Sequence, residues 1–347
     1  MCIRDRYRSR PVRLLLRRIL PALLAILLLL LAALTWLAGT ESGLRVLWQH
    51  LLRPAVPELA AAEVSGRLLD SITIRELRYE TDQLLFSARS LQLDWTPRGL
   101  LGGVLQIRRL AAEGLRYEQR GQGSDEPTVL PVRIALPVAI ELAALTIQDG
   151  VLVSAPGAEP LAIESLSLAG AWRDTRLDIT QLALRRPDLR VDGAATLYAK
   201  EDYPLSGELR MQVTPPGYAP LQGETRLSGS LRRLQLAQTV APPYALQASV
   251  SLGEPLTELV LEASIRLQDS DLPAISADWP AMRLAGTLNA SGPPDALQLD
   301  GRVDIRDAMA ATLQLVFAGM LRPDELQVAT LQLDSPGLPA RLDAQGA

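Results

Sequence analysis

The sequence predicts a mainly β protein: one N-terminal transmembrane helix, a short amphipathic helix, then an elongated, stacked β body. Three observations carry that prediction. Ile19 to Ala38 is a run of twenty residues without a charge. Residues 41–53 place Leu44, Leu47, Trp48, Leu51 and Leu52 on one helical face. From about Ala61 onward, apolar residues recur at every second position, in short runs bounded by Gly, Pro, Asp or Ser.

The uncharged run comes first. Twenty residues at helical rise just span the hydrocarbon core of a bilayer. Ile19 opens the expected anchor, Leu27 sits in its middle, and Trp36 and Ala38 mark its exit. Pro21 falls in the first turn, where its missing N–H matters little. Trp36 lies where amphipathic rings favour the headgroup zone. Arg4, Arg6, Arg8, Arg10, Arg13, Arg17 and Arg18 precede the run, so residues 1–18 form a cytoplasmic Arg-rich tail and everything after Gly39 is exported. A cleaved signal peptide is the competing reading. The apolar stretch is long for one, no clean A-x-A site follows, and no Cys follows for a lipoprotein anchor.

Residues 39–60 then read as a membrane-proximal amphipathic helix and linker, ended by Pro54 and Pro57. Such a helix lies on the outer membrane surface or packs on the next domain. Residues 61–347 form the β body. Its runs include Ile72 and Ile74, Leu91 and Leu93, Leu105 and Ile107, Leu234 and Leu236, and Leu297 and Leu299. No long helix interrupts them, which argues against parallel βαβ units. About twenty strands at roughly 4.8 Å each would give a body of about 95 Å. GQGSDEPT (121–128) and TPPGYAPLQG (214–223) read as surface loops.

The body repeats itself. GETRLSGSLRRLQL from Gly223 and GTLNASGPPDALQL from Gly286 align Gly229, Leu234 and Leu236 with Gly292, Leu297 and Leu299. A weaker echo links ITIRELRYE (72–80) to LQIRRLAAEGLRYEQ (105–119). Such repetition suits an elongated stack better than a closed globule.

Composition excludes several classes of function. The 347 residues are 48% hydrophobic and 21% charged, which rules out a disordered chain. Cys2 is the only cysteine and His50 the only histidine, so internal disulfides, Cys-based metal sites and His clusters are excluded. All but one of the 35 basic residues are Arg, the exception being Lys200. Residues 1–18 hold seven Arg and one Asp, so the net charge of −4 conceals an acidic body without a nucleic-acid footprint. His50 reads as a surface residue, and Asp269 and Asp271 in LQDSDLP as a solvated turn rather than a calcium loop. There is no P-loop and no G-x-G-x-x-G. No catalytic residue, cofactor or metal is expected, and the chain reads as a non-enzyme.

GTESGLRVL after the anchor, VSGRLLDSITIRELRYE (64–80), LQLDWTP (91–97) and LQIRRLAAEGLRYE (105–118) resemble the N-terminal region of the TamB family. LPVAIELAALTIQDGVLV (136–153) resembles the recurring strand pair of the wider AsmA-like family. The resemblance implies a single-pass protein of the bacterial inner membrane whose body forms a long curled sheet with a greasy groove, a β-taco, in the periplasm. It implies phospholipid transport towards the outer membrane. The alternative it implies is a scaffold for outer-membrane protein insertion, partnered by a TamA-type barrel through a C-terminal region. Members are several times longer, so a fragment is expected.

On this reading Ile72, Ile74, Leu91, Leu93, Leu105, Ile107, Leu234, Leu236, Leu297 and Leu299 line a hydrophobic trough for acyl chains. The same pattern also fits the dry core of a β sandwich or a filled solenoid. The alternation alone leaves both open.

Overall fold

The computed structural model describes residues 35–121, 131–254, 258–307, 312–323, 325–335 and 338–346. Most of the expected anchor therefore lies outside the described residues, as does the loop expected at 121–128 apart from Gly121. Residues 35–38, the end of the uncharged run, are helical. Among the described residues no helix is long and apolar enough to cross a membrane.

The GTESG segment makes a sharp turn between two helices. Thr40 donates its backbone N–H to the Trp36 carbonyl at 3.1 Å, while its hydroxyl accepts the Gly43 N–H at 3.1 Å and caps helix α1 (Glu41–Leu47). Gly43 packs so closely on the Leu37 backbone that a Cβ there would overlap it. A π-helical turn (Trp48–Leu52) leads into α2 (Arg53–Ala55). The single apolar face expected here is split. Leu44 is buried and Leu47 and Trp48 are half-buried, but Leu51 and Leu52 are exposed. The wider π turn is the reason: it breaks the 3.6-residue period that would have kept all five in line.

All described strands join one sheet of 20 strands. In chain order they are β1 (Leu59–Ala60), β2 (Glu63–Gly66), β3 (Ser71–Glu80), β4 (Leu84–Thr96), β5 (Val104–Glu113), β6 (Arg116–Gln119), β7 (Ala139–Val153), β8 (Leu161–Arg173), β9 (Arg176–Arg185), β10 (Leu189–Tyr198), β11 (Pro204–Val213), β12 (Leu221–Ser230), β13 (Arg233–Val240), β14 (Leu246–Gly253), β15 (Val260–Asp271), β16 (Met282–Gly292), β17 (Leu297–Asp307), β18 (Thr312–Arg322), β19 (Glu325–Ser335) and β20 (Leu338–Gly346). Helix α3 (Leu272–Ile275) sits between β15 and β16.

Each strand pairs with its sequence neighbour, antiparallel, from β7 to β20. The N-terminal end differs. β1 and β2 both pair with β3, and β5 and β6 both lie between β4 and β7, parallel to β7. The strands thus fall into fewer rows than their number, and at roughly 4.8 Å per row the stack comes to about 85 Å rather than 95 Å. Residues 136–153, expected as a strand pair, hold one long strand, β7 (Ala139–Val153), instead. Asp149, in the left-handed region at φ 54°, kinks β7 without reversing it.

The repeats have local causes. Gly66, Gly229 and Gly292 each follow a Ser at a strand end and adopt φ of 106°, 107° and 121°. A side chain at these points would run into the carbonyl of the returning strand, so Ser-Gly recurs wherever this hairpin exit does. The LRYE echo places Tyr79 and Tyr117 on either side of Phe86 of β4. Arg78–Glu80 and Arg116–Glu118 pair within their own strands, and Arg120 joins both carboxylates at 2.7 and 3.2 Å.

Strands of this sheet bend in concert. Glu76, Gly114 and Asp149, all at positive φ, fall on one line across β3 to β7. A second line of register shifts crosses β4, β5, β7, β8, β9 and β10 at Asp94/Trp95, Leu142/Leu145, Ala169/Gly170 and Gly193/Ala195. Bulges bend a strand and raise its local twist. The segment before β7 is stitched to the strand ends beside it: Ile134 donates to Ala199 at 2.9 Å, and the hydroxyl of Tyr203, 4% exposed, donates to Pro131 at 2.6 Å.

Two substitutions test these joints. Gly43→Val is expected to destabilise the α1 entry by about 1–3 kcal/mol through overpacking on Leu37. Tyr203→Phe is expected to lower stability by about 1 kcal/mol and to raise protease cleavage near residue 131, because the Pro131 carbonyl loses its partner. Denaturant unfolding and limited proteolysis read both.

Candidate functional site: two unlike faces of one sheet

Residues directly opposed on neighbouring strands project from the same face. The register can therefore be followed across the sheet. Ile107 opposes Leu142, and the line continues through Gly170, Ile179, Ala195, Gly207, Leu227, Leu236, Val250, Ala263 and Ala290 to Leu299. Leu105 and Leu234 lie two residues along on the same face, as does Leu297, opposite Leu321. At the other end Ile72 opposes Leu93, Ile74 opposes Leu91, and Trp95 opposes Ile107. All ten sequence-selected residues thus share one face of one sheet. Every one of them is half-buried.

The opposite face carries a second continuous line that the apolar pattern did not reveal. Gln106, Glu141, Ala171, Asp178, Thr196, Ser206, Ser228, Gln235, Ser251, Glu262 and Ser291 oppose one another in turn. They border a shallow hollow of about 1810 Å³ that crosses eleven strands. On most strands it is bordered by two residues of the polar face and by the one apolar-line residue between them, as at Arg226, Leu227 and Ser228, so the hollow lies on the polar side. Of the ten expected lining residues only Ile107 and Leu236 border it. No aromatic ring lines it, so it offers no stacking platform for sugars or bases. Its signal in the sequence is the small or polar residue between each pair of apolar ones.

One end of the hollow is charged. Arg173 donates to Glu141 at 2.6 Å and holds its carboxyl below the usual range. Burial opposes ionisation of Asp178, but hydrogen bonds from Arg176 and Thr196, each 2.9 Å, outweigh it and keep that carboxyl low as well. The Arg176 guanidinium stacks 5.6 Å above the Tyr198 ring. The apolar face has one polar spot: Thr225, 7% exposed, opposes Gln238, whose amide points at the Met211 sulfur at 3.4 Å.

The residues weighed for chemistry are dispersed. His50 is exposed on the π-helical turn, beside the Val46 carbonyl at 3.2 Å. Asp269 accepts from Arg283 at 2.9 Å, while Asp271 starts α3. Among the described residues no group of His, Cys, Asp and Glu could hold a metal ion.

A family model described as TamB, N-terminal domain, matches residues 30–155 and again residues 124–346. The chain belongs to the TamB N-terminal domain family. The two matches overlap over residues 124–155, which include the whole of β7, the strand that ends the parallel part of this TamB-type sheet. TamB membership places the role of the chain in the cell envelope. No curated protein and no solved structure matches it.

Arg173→Gln is expected to raise the Glu141 carboxyl back towards the ordinary range. In the parent protein a lowered carboxyl adds stability above that range and loses it as pH falls through the lowered value. The variant should therefore show less acid-dependent loss. The effect is small because the pair is exposed. Side-chain carboxyl NMR across the acid limb measures it.

Proposed function

We propose that this chain carries phospholipid acyl chains along the apolar face of its sheet, from an inner-membrane anchor towards the outer membrane. One observation carries the reading. A continuous apolar face runs from β3 to β18, and its selected residues are neither buried, as a dry core would make them, nor fully exposed. No second sheet lies against it among the described residues.

The lining is aliphatic and non-directional, which suits acyl chains of many lengths. Each methylene removed from water contributes about 0.8 kcal/mol. The phosphate headgroup stays in water, because burying it unpaired is costly. Neighbouring rows offer nearly equal sites, so movement is diffusion between them without a chemical step. Family membership supports the envelope setting.

The test is a photocrosslinking scan in cells grown with labelled phosphate. Photoreactive residues replace Leu91, Leu93, Leu105, Leu234 and Leu297, with Gln92, Gln106 and Gln235 as controls on the opposite face. Label at the leucines and not at the glutamines is expected. Leu234→Asp should lower the label at Leu297 while the chain stays folded. No label at any position on a folded, exported chain would overturn the reading. It would favour the assembly role, in which a strand edge pairs with a client and a TamA-type barrel is the partner.

A further inference from the structure

The largest exposure of an apolar side chain among the described residues is that of Leu101, 93% exposed, and its neighbour Leu100 is 43% exposed. Both sit on the short 3-10 turn Pro97–Gly102 between β4 and β5. Pro97 starts that turn and Gly103, at φ 73°, closes it, so the backbone makes no demand for leucine at its tip. Turn tips are ordinarily polar.

The place of this turn gives the leucines a use. Trp95, just before it, donates its backbone N–H to Asp70 at 3.0 Å and its indole N–H to Leu68 at 2.7 Å. Leu69 in turn donates to the carbonyl of Ala38 at 3.1 Å. Ala38 is the last residue of the uncharged run. The turn, the 67–70 loop and the end of that run therefore meet at one corner of the sheet. Leu69 (40% exposed) and Trp36 (49% exposed) open outward there too. Arg67 and Arg98 flank them, both exposed, and neither is in an ion pair among the described residues.

We propose that this corner docks on the bilayer. Leu100 and Leu101 enter the acyl region beside the anchor, Trp36 sits at headgroup level, and Arg67 and Arg98 meet anionic phosphates. A run that ends within one hydrogen bond of Leu69 brings this corner to the interface, and the exposed leucines and free guanidiniums match the two layers found there. Leu105 and Ile72 lie near the same ends of β5 and β3, so the apolar face begins where the chain meets lipid. The inference rests on the anchored topology proposed above, and not on lipid carriage.

The full chain carrying Cys2→Ser and Leu101→Cys is labelled with an environment-sensitive dye. It is reconstituted in vesicles of phosphatidylglycerol and phosphatidylethanolamine, and separately in phosphatidylcholine. Leu326→Cys, at a position 54% exposed on β19, is the control. The dye at 101 should shift to shorter wavelength and be quenched by nitroxides placed high on the acyl chains. The dye at 326 should do neither. Arg67→Gln with Arg98→Gln should reduce quenching in the anionic vesicles only. A water-like dye at 101 on a chain that floats with vesicles overturns the docking and leaves the anchor standing. A chain that does not float overturns both. A shift that follows protein concentration rather than the lipid quencher assigns the leucines to a second copy and also overturns the proposal.

Discussion

The register of the backbone ladder is the constraint on which every other property of this sheet depends. Side chains alternate with period two, so a slip of one residue in any row would transfer its aliphatic set to the polar side. No slip of that kind breaks the line from Ile107 to Leu299. Where β7 gains a residue against β8, at Leu142/Leu145, its neighbour β5 gains one against β4, opposite Asp94/Trp95. The shifts cancel in pairs, the faces keep their identity, and what remains of each pair is a bend.

The two faces then take opposite energetic roles. The apolar face gains from contact between neighbours in adjacent rows, but no second layer removes it fully from water. Few apolar residues are fully buried, and those of β3 to β5 cluster at Leu77, Leu85, Ala88 and Ala112, beside the first line of bends. The polar face carries cross-strand ion pairs such as Arg210–Glu224 and Arg226–Glu208. Each is exposed and contributes about 0–1 kcal/mol at most. Their larger effect is to keep that face in water, since stacking it on another surface would strip charged pairs of solvent.

Much of this was legible in the chain because period two leaves a simple trace. The ten alternating leucines and isoleucines share one face, and of the loop expected at 214–223 only 214–220 lies between β11 and β12, residues 221–223 opening β12 instead. Ser-Gly and LRYE were visible as repeats before their turns and pairings explained them. Other features had no local trace. The resemblance of 136–153 to a strand pair gave no sign that Asp149, left-handed and followed by Gly, would kink one strand, and only pairing with β6 and β8 decides it. The parallel join of β5 and β6 to β7 depends on where a crossing segment lands, which no residue pattern records. The polar line was overlooked because serine and alanine between leucines look like filler until their register aligns them.

The same pairing scheme has a mechanical and kinetic meaning. From β8 onward each described strand pairs with the strand before it and the strand after it, so the sheet behaves as a one-dimensional lattice. Order can spread hairpin by hairpin as the chain emerges, because few contacts wait for distant sequence. Damage is equally local: opening one row weakens its two neighbours and little else. Gain or loss of a whole hairpin keeps every remaining face in phase, whereas gain or loss of a single strand would reverse the direction of all that follow. Lineages of such sheets should therefore change length in steps of two strands.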